Sequence, residues 1–317
     1  MRIGVMDIGS NTTHLTVSDI TREGPFHAVA SEKHDAPLAE GTGDDGAIGP
    51  GAVKELVRAV DEAVREAREH DVEELIAFAT EAVRDAPNRD AVVSKVAKKT
   101  GVRMGFLPSE AEARLTFLAA REWYGWQAGR LAVLDIGGGS LEVAVGDGAE
   151  PAAEISLPIG AGRVTAEYLP GDPPSADQVR RASDVVHNQL AGSVGKVRAD
   201  GPVRAVATSK TFHELAKLTG GHGVLKLKRL RKRLPKLAAM SNRKRAKLKG
   251  VAPDRADEVL AGAIVAEAVM TDLGLDEVEM CPWAVREGIL TRRRQMMLSP
   301  ETAEAGDEIA PLRQKKW

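Results

Sequence analysis

One cysteine, Cys281, stands alone in 317 residues. No disulfide can form within the chain, and a reducing compartment suits it. Aromatic side chains are scarce at 3%. None interleaves with the one strongly basic stretch, so the usual stacking platform for bases is missing there. An excess of one charge is missing too. Against 44 Lys and Arg stand 46 Asp and Glu, a net charge of −2, so the molecule as a whole is not set up to coat nucleic acid or an anionic membrane. Long apolar runs are absent: "VLAGAIVAEAVM" is too short to span a bilayer and carries Glu267, which makes it a buried helix. Near the start, Asp7, Asn11 and Asp19 interrupt any apolar core that a secretory leader would need. The expectation is a soluble cytoplasmic protein, long enough for two domains with sizeable cores.

What the chain does hold is a repeat. "RIGVMDIGSNTTHLTVSD" (2–19) lies over "RLAVLDIGGGSLEVAVGD" (130–147) without a gap, at a constant offset of 128. Identities fall at Arg2/Arg130, Val5/Val133, Asp7/Asp135, Ile8/Ile136, Gly9/Gly137, Val17/Val145 and Asp19/Asp147. Each copy reads as strand, tight turn, strand. With Gly138-Gly139 as a two-residue turn, Gly137 pairs with Ser140, Ile136 with Leu141 and Asp135 with Glu142; by the same count Asp7 faces His14. Helix-period and strand segments follow each hairpin. "GAVKELVRAVDEAVREAREH" puts Val53, Leu56, Val57, Val60 and Val64 on one stripe, and "VEELIAFAT" is a short strand leading to a helix with Ala82 and Val83. In the second half, helices are expected at "ADQVRRASDVVHNQLAGSV", "TFHELAKLTG", "RADEVLAGAIVAEAVMTDLG" and "AVREGILTRRRQMM", with strands at "VRAVAT" and "EVEMCPW". Alternation of this kind indicates an α/β architecture, here of two homologous halves facing each other across a cleft. The polar tail from Ser299 is expected to be poorly ordered.

The second turn poses a chemical question. Asp135 and Glu142, opposed across a hairpin, are like charges roughly 5 Å apart at Cβ, which destabilises unless something sits between them. A divalent cation resolves that, and a hard ion held by carboxylates and water is Mg²⁺, with Mn²⁺ as the alternative. Gly137, Gly138, Gly139 and Ser140 leave backbone N–H groups open, and such concave N–H arrays bind phosphate oxygens. The first turn offers Asp7, Ser10, Asn11 and Thr12 instead. Two such turns could grip a polyphosphorylated ligand, although a polar hairpin is an equally good reading of the first.

Four other stretches carry candidates, each with a plainer reading beside it. In "LPSEAEARLTFLAA", Glu112 stands three residues after Ser109, the spacing of a capping box; aimed into a cleft, it is also a general base for water. Arg84 in "FATEAVRDAPN" follows a strand and could fork onto phosphate oxygens or pair with Asp85 or Glu81. Ser209 in "AVATSKTFHELAKL" caps a helix whose free N–H groups favour an anion, with Lys210 and Thr211 beside it. Finally, "LKLKRLRKRLPKLAAMSNRKRAKLK" (225–249) holds twelve Lys or Arg and no acid. Its leucines recur at helical spacing, and Pro235 is expected to bend or split it. Such a run is either a solvated face or a local surface that attracts polyanions.

In order along the chain, "DIGSNTTHL", "ATEAVRDAPN", "SEAEARLTF", "DIGGGSLE", "ATSKTFHELA", "RADEVLAGA" and "CPWAVREGIL" resemble the exopolyphosphatase/guanosine-pentaphosphate phosphohydrolase (Ppx/GppA) family. The resemblance implies an actin-like ATPase (RNase H-like) α/β fold, with one domain over 1–122 joined by the last helix, 284–298. A second domain over 123–317 would carry the basic insertion 225–249 and the tail. It implies Glu112 as the base for the attacking water, Asp135 and Glu142 near the metal, and phosphate contacts from both turns, Arg84 and the stretch Ser209–Thr211. Lys210 replaces a usual glycine there, and Ala111 replaces the first acid of a common Glu-Glu-Ala pattern. The implied activity is Mg²⁺-dependent release of orthophosphate from a terminal phosphoanhydride by a homodimer; the basic helix and Lys210, read from the residues themselves, favour inorganic polyphosphate over pppGpp as the substrate. Alternatives are a pppGpp 5′-phosphohydrolase, a kinase of the same superfamily (no acceptor motif is found) and a non-catalytic polyphosphate- or alarmone-binding protein. Neither a membrane nor nucleic acid is an expected partner.

Overall fold

A computed structural model describes the chain except for residues 23, 25, 39–40, 44, 199–202 and 299–307. Among the described residues the strands are β1 (Arg2–Ile8), β2 (Thr12–Asp19), β3 (His27–Asp35), β4 (Glu74–Ala79), β5 (Gly105–Phe106), β6 (Leu131–Ile136), β7 (Leu141–Gly146), β8 (Ala153–Leu157), β9 (Arg204–Ala207), β10 (Val224–Lys226), β11 (Glu277–Met280) and β12 (Arg313–Gln314). The helices are α1 (Pro50–Glu69), α2 (Glu81–Arg84), α3 (Arg89–Thr100), α4 (Ser109–Tyr124), α5 (Ala161–Tyr168), α6 (Ala176–Ala191), α7 (Val194–Val197), α8 (Lys210–Leu218), α9 (Leu227–Ala238), α10 (Asn242–Arg245), α11 (Val259–Asp272) and α12 (Val285–Leu298).

The chain forms two compact units, Met1–Ala111 with Ile289–Trp317, and Glu112–Gly288. Both crossings fall inside helices, α4 and α12. In the first unit the sheet runs β12-β4-β1-β2-β3, with β5 on β4; in the second it runs β10-β11-β9-β6-β7-β8. The repeat is visible in the ladders. Asp7 lies opposite His14 and Asp135 opposite Glu142, the same register moved by 128 on both strands. Each hairpin then pairs in parallel with a strand from later in its unit, β1 with β4 and β6 with β9. Even the closing ion pair is kept, Arg2 Nε to Asp19 Oδ1 at 2.9 Å and Arg130 Nη2 to Asp147 Oδ2 at 3.4 Å.

Amphipathic periodicity explains the layers. Helix α1 buries Val53, Leu56, Val60 and Val64 against the first sheet, as the stripe predicts. Helix α11 is apolar all round and buried in the second unit, against α5, α6, α8 and α9.

The structure corrects the sequence in three places. Residues 308–317 of the tail are ordered and belong to the first unit: β12 pairs antiparallel with β4. The reason is electrostatic as well as backbone pairing, because Glu74, 1% exposed, receives Arg293 Nε at 2.7 Å and Arg313 Nε at 2.8 Å. Pro235 does not split the basic segment; α9 runs through it, and the break comes at Ala239–Ser241. A single missing donor removes one helical bond, which the burial of Leu230 and Leu237 on either side outweighs. Ser209 sits at the cap position of α8 without a capping hydrogen bond; its side chain has another task.

Candidate active site

In the second unit, the turn after β6 is fixed from behind. Gly160, Ala161 and Arg163 N–H donate to the carbonyls of Gly139, Gly137 and Gly138 at 2.9 Å each, while Gly137 N–H donates to Ser140 O at 2.9 Å. Three glycine carbonyls are thus committed to the start of α5, and among the described residues Gly138, Gly139 and Ser140 N–H have no protein acceptor. Those amides form the kind of array that binds anions. The approach needs glycine at 160, where a Cβ would lie 2.4 Å from the Gly139 carbonyl carbon and Ser140 N.

Asp135, the last but one residue of β6, is gripped from the two-residue link between β9 and α8. Its Oδ2 accepts hydrogen bonds from the Thr208 hydroxyl and, at 3.2 Å, from Ser209 N–H. Ser209 Oγ in turn accepts from Ile136 N–H at 3.2 Å, which is why it does not cap α8. The anion at this helix N-terminus is the protein's own carboxylate. Burial pushes the Asp135 carboxyl up from its ordinary value, opposed by Thr208, Ser209, His213 and Arg255. Across the ladder, Glu142 is 3% exposed and its Oε1 accepts from Ser156 Oγ at 2.8 Å. Two acids side by side on adjacent strands are what a cation would reconcile.

Among the described residues no three His, Cys, Asp or Glu side chains converge as a metal cage. Mg²⁺ asks for less: it usually keeps several waters and takes one or two carboxylates plus substrate phosphates. The pair Asp135 and Glu142 fits that donor set.

The remaining predicted residues divide between the units. Glu112 is in the first turn of α4, half-buried, and α4 begins at Ser109. Lys210 Nζ lies 3.5 Å from Asp254 Oδ2, and Thr211 Oγ1 accepts from Arg255 Nη2 at 2.8 Å. In the first unit, Asp7 faces His14, Asn11 O accepts from Ala36 N–H at 2.9 Å, and Gly9 N–H donates to Thr12 O at 3.0 Å, closing the turn that carries Ser10. Arg84 ends α2 with Nε 3.0 Å from Asp85 Oδ1 and Nη1 donating to Leu107 O at 3.3 Å. The ion pair with Asp85 therefore forms.

Sequence reasoning missed the group behind α8. Arg255 pairs with Glu258 at 3.0 Å and lies 3.8 Å from Glu214, whose Oε1 accepts from Ala252 N–H. Burial raises both glutamates, and Arg255 opposes that. The signal was present in "RADEVLAGA", where Arg255 and Glu258 stand three apart, but nothing in that spacing tells a buried pair from a surface one.

Duplicated α/β units that each open on a hairpin of this kind define the actin-like, RNase H-like fold class. A profile of the Ppx/GppA phosphatase family matches residues 16–296. Exopolyphosphatase 1 of Mycobacterium tuberculosis is 47% identical over 303 residues, spanning 92% of this chain and 88% of its own length. Among solved structures, the Aquifex aeolicus PPX-GPPA enzyme has a TM-score of 0.77 at 26% identity, covering 92% of this chain and 99% of that one. An exopolyphosphatase from Cytophaga hutchinsonii, 24% identical, shares the fold with a TM-score of 0.83 over 93% of this chain and 98% of its own. The chain belongs to the Ppx/GppA phosphatase family.

Proposed function

We propose that the protein is an exopolyphosphatase, which hydrolyses the terminal phosphoanhydride of inorganic polyphosphate and releases orthophosphate. The observation that carries this reading is the second turn. There, amides without a protein acceptor stand beside two opposed acids, a receptor for phosphate and for the cation that travels with it. Family membership and the 47% identity to an exopolyphosphatase support the same substrate.

The chain's residues take these roles. Glu112 accepts a proton from water, whose oxygen forms a bond to the terminal phosphorus as the bond from phosphorus to the bridging oxygen breaks. The shortened polyphosphate leaves with that oxygen as its new end. Gly138, Gly139 and Ser140 N–H hold the charge that grows on the terminal phosphoryl oxygens. Asp135, oriented by Thr208 and Ser209, and Glu142, oriented by Ser156, would hold Mg²⁺. When bound, the ion supplies neutralising charge to the phosphates. Asp7, Ser10, Asn11, Thr12 and Arg84, with Ser209, Lys210 and Thr211, are assigned to the phosphates by their residue types and by the resemblance.

The test is phosphate release with Mg²⁺ from polyphosphates of several lengths, pppGpp and ATP, side by side. Release from polyphosphate is expected; preference for pppGpp would move the protein to alarmone turnover, and release from none would make it a binding protein. Glu112→Gln is expected to lower kcat by about 10²–10⁴-fold with the fold intact, and full turnover would remove Glu112 from its role. The homodimer implied by the resemblance is checked by light scattering of the purified chain.

A further inference from the structure

The twelve cations of 225–249 are not alike. Lys226 Nζ lies 3.0 Å from Glu277, Arg231 Nε lies 2.7 Å from Glu267, and Arg245, 2% exposed, donates to Leu237 O at 3.1 Å. Lys226 and Arg231 fasten the segment to the body of the second unit, together with buried Leu227, Leu230 and Leu237, while Arg245 ties α10 back to α9. Of the rest, Arg229 donates to Gly220 O at 3.2 Å and Arg233 is half-buried, while Arg243 and the six remaining lysines face outward. Lys228, Lys232 and Lys236 recur every fourth residue on the exposed face of α9, a pitch of roughly 6 Å. Lys244 in α10, and Lys247 and Lys249 beyond it, continue the charge. No carboxylate of a described residue lies within ion-pair distance of any of these six. In a chain of net charge −2, such a face is held open to solvent at a cost in self-repulsion, with no structural return.

The segment also leads to the candidate active site. Beyond Lys249 the chain turns at Gly250 (φ +101), where a Cβ would sit 2.8 Å from Lys217 Cβ and 3.1 Å from Leu218 N, at the end of α8. It then runs back along α8, with Ala252 N–H on Glu214 and Asp254 beside Lys210 at the helix start. The basic hairpin therefore ends one α8 length, roughly 13 Å for nine residues, from the Ser209 N–H that holds Asp135.

We propose that the outward face of α9 and α10 is an exosite for the body of an inorganic polyphosphate chain whose end is being cleaved. This rests on the exopolyphosphatase reading and adds the part of the protein that senses chain length. Three features select this partner. No large apolar side chain of the segment is exposed, so the face has nothing to insert into a lipid surface. It carries no aromatic residue to stack bases. Its outward cations are mostly lysines, compact and strongly hydrated point charges on flexible stems. They hold a uniform line of phosphates without fixing its register, so the chain can advance by one unit after each cleavage.

The experiment uses the full chain with Lys232→Gln, Lys236→Gln and Lys247→Gln combined, and the matching Lys→Arg triple as the charge-preserving control. Binding of long-chain polyphosphate is measured in EDTA, where nothing is turned over, and KM is measured with Mg²⁺ for long chains and for tripolyphosphate. The Gln triple is expected to bind long chains about tenfold more weakly and to raise their KM alike. The salt slope of binding should shrink by about 0.7 per lysine removed. Tripolyphosphate kinetics and the Arg triple should match wild type. Equal losses on long and short substrates, or none, would overturn the exosite, as would tighter binding of duplex DNA than of polyphosphate at the same face. Because binding is read without turnover, the exosite stands or falls even if the wild type cleaves no polyphosphate, an outcome that counts against the function above.

Discussion

In the first hairpin an acid faces a base: Asp7 lies opposite His14, whose Nε2 is 2.8 Å from Ser31 Oγ. In the second an acid faces an acid, Asp135 opposite Glu142, on a backbone of the same register. The turns differ behind as well as in front. One carbonyl of the first, that of Asn11, is tied by Ala36, whereas three glycine carbonyls of the second are tied by the start of α5. The same register thus carries a different partner opposite the aspartate in each copy, and on the proposed function only the second, with two acids, would call for a cation.

Exchanging the partners tests this directly. Glu142→His, which installs the first hairpin's pair in the second, is expected to abolish the response of phosphate release to Mg²⁺ and to lower turnover by about 10³-fold, of the order of one lost electrostatic contact to the reacting group. A variant still titrated by Mg²⁺ would break the comparison. The far edges of the two sheets differ too. In the second, Lys226 and Glu277 meet in the open; in the first, Glu74 is buried between two guanidiniums. Burial alone would raise the Glu74 carboxyl, yet Arg293 and Arg313 hold it below its ordinary value of 4.5. Glu74→Gln should therefore cost about 3 kcal/mol, seen as a lower urea midpoint. The wild type keeps that stability above pH 4.5 and loses it as the pH falls through the lower folded-state value; a midpoint unchanged on acidification would contradict the assignment.

Gly160→Ala probes the support of the second turn. A Cβ at 2.4 Å from the loop backbone forces the turn or α5 to move, for about 1–3 kcal/mol of stability together with a loss of turnover on every substrate. Stability lost with turnover intact would mean that the turn does not hold phosphate. The smallest effect is expected from His14→Glu, which puts two acids face to face in the first hairpin. It should destabilise by about 0.2–1 kcal/mol in EDTA, and recovery on adding Mg²⁺ would extend the cation argument to both copies.

The hairpins were legible because the repeat marks both copies and a two-residue Gly138-Gly139 turn sets the register; from it the pairings of Asp7, Ile136 and Asp135 follow without a structure. Helix α1 was legible from its stripe. Other elements had no such signal. Strand β3 exposes most of its side chains, and β12 is two residues long, so neither shows a period. Ser209 looked like a cap because sequence cannot show that Ile136 N–H, from another strand, claims its hydroxyl oxygen. Arg255 and Arg84 posed the same problem, since a guanidinium's partner depends on what the fold brings to it.

The placement of β12 bears on synthesis. The first unit's sheet is completed by residues made after the whole of the second unit, so on the ribosome Glu74 waits without Arg293 and Arg313 while the intervening unit emerges with both edges of its own sheet already in hand. The usual order, in which the amino-terminal domain is settled first, should then reverse: a released chain truncated near residue 290 should resist protease across β6–β11 while β1–β4 remain open to cleavage.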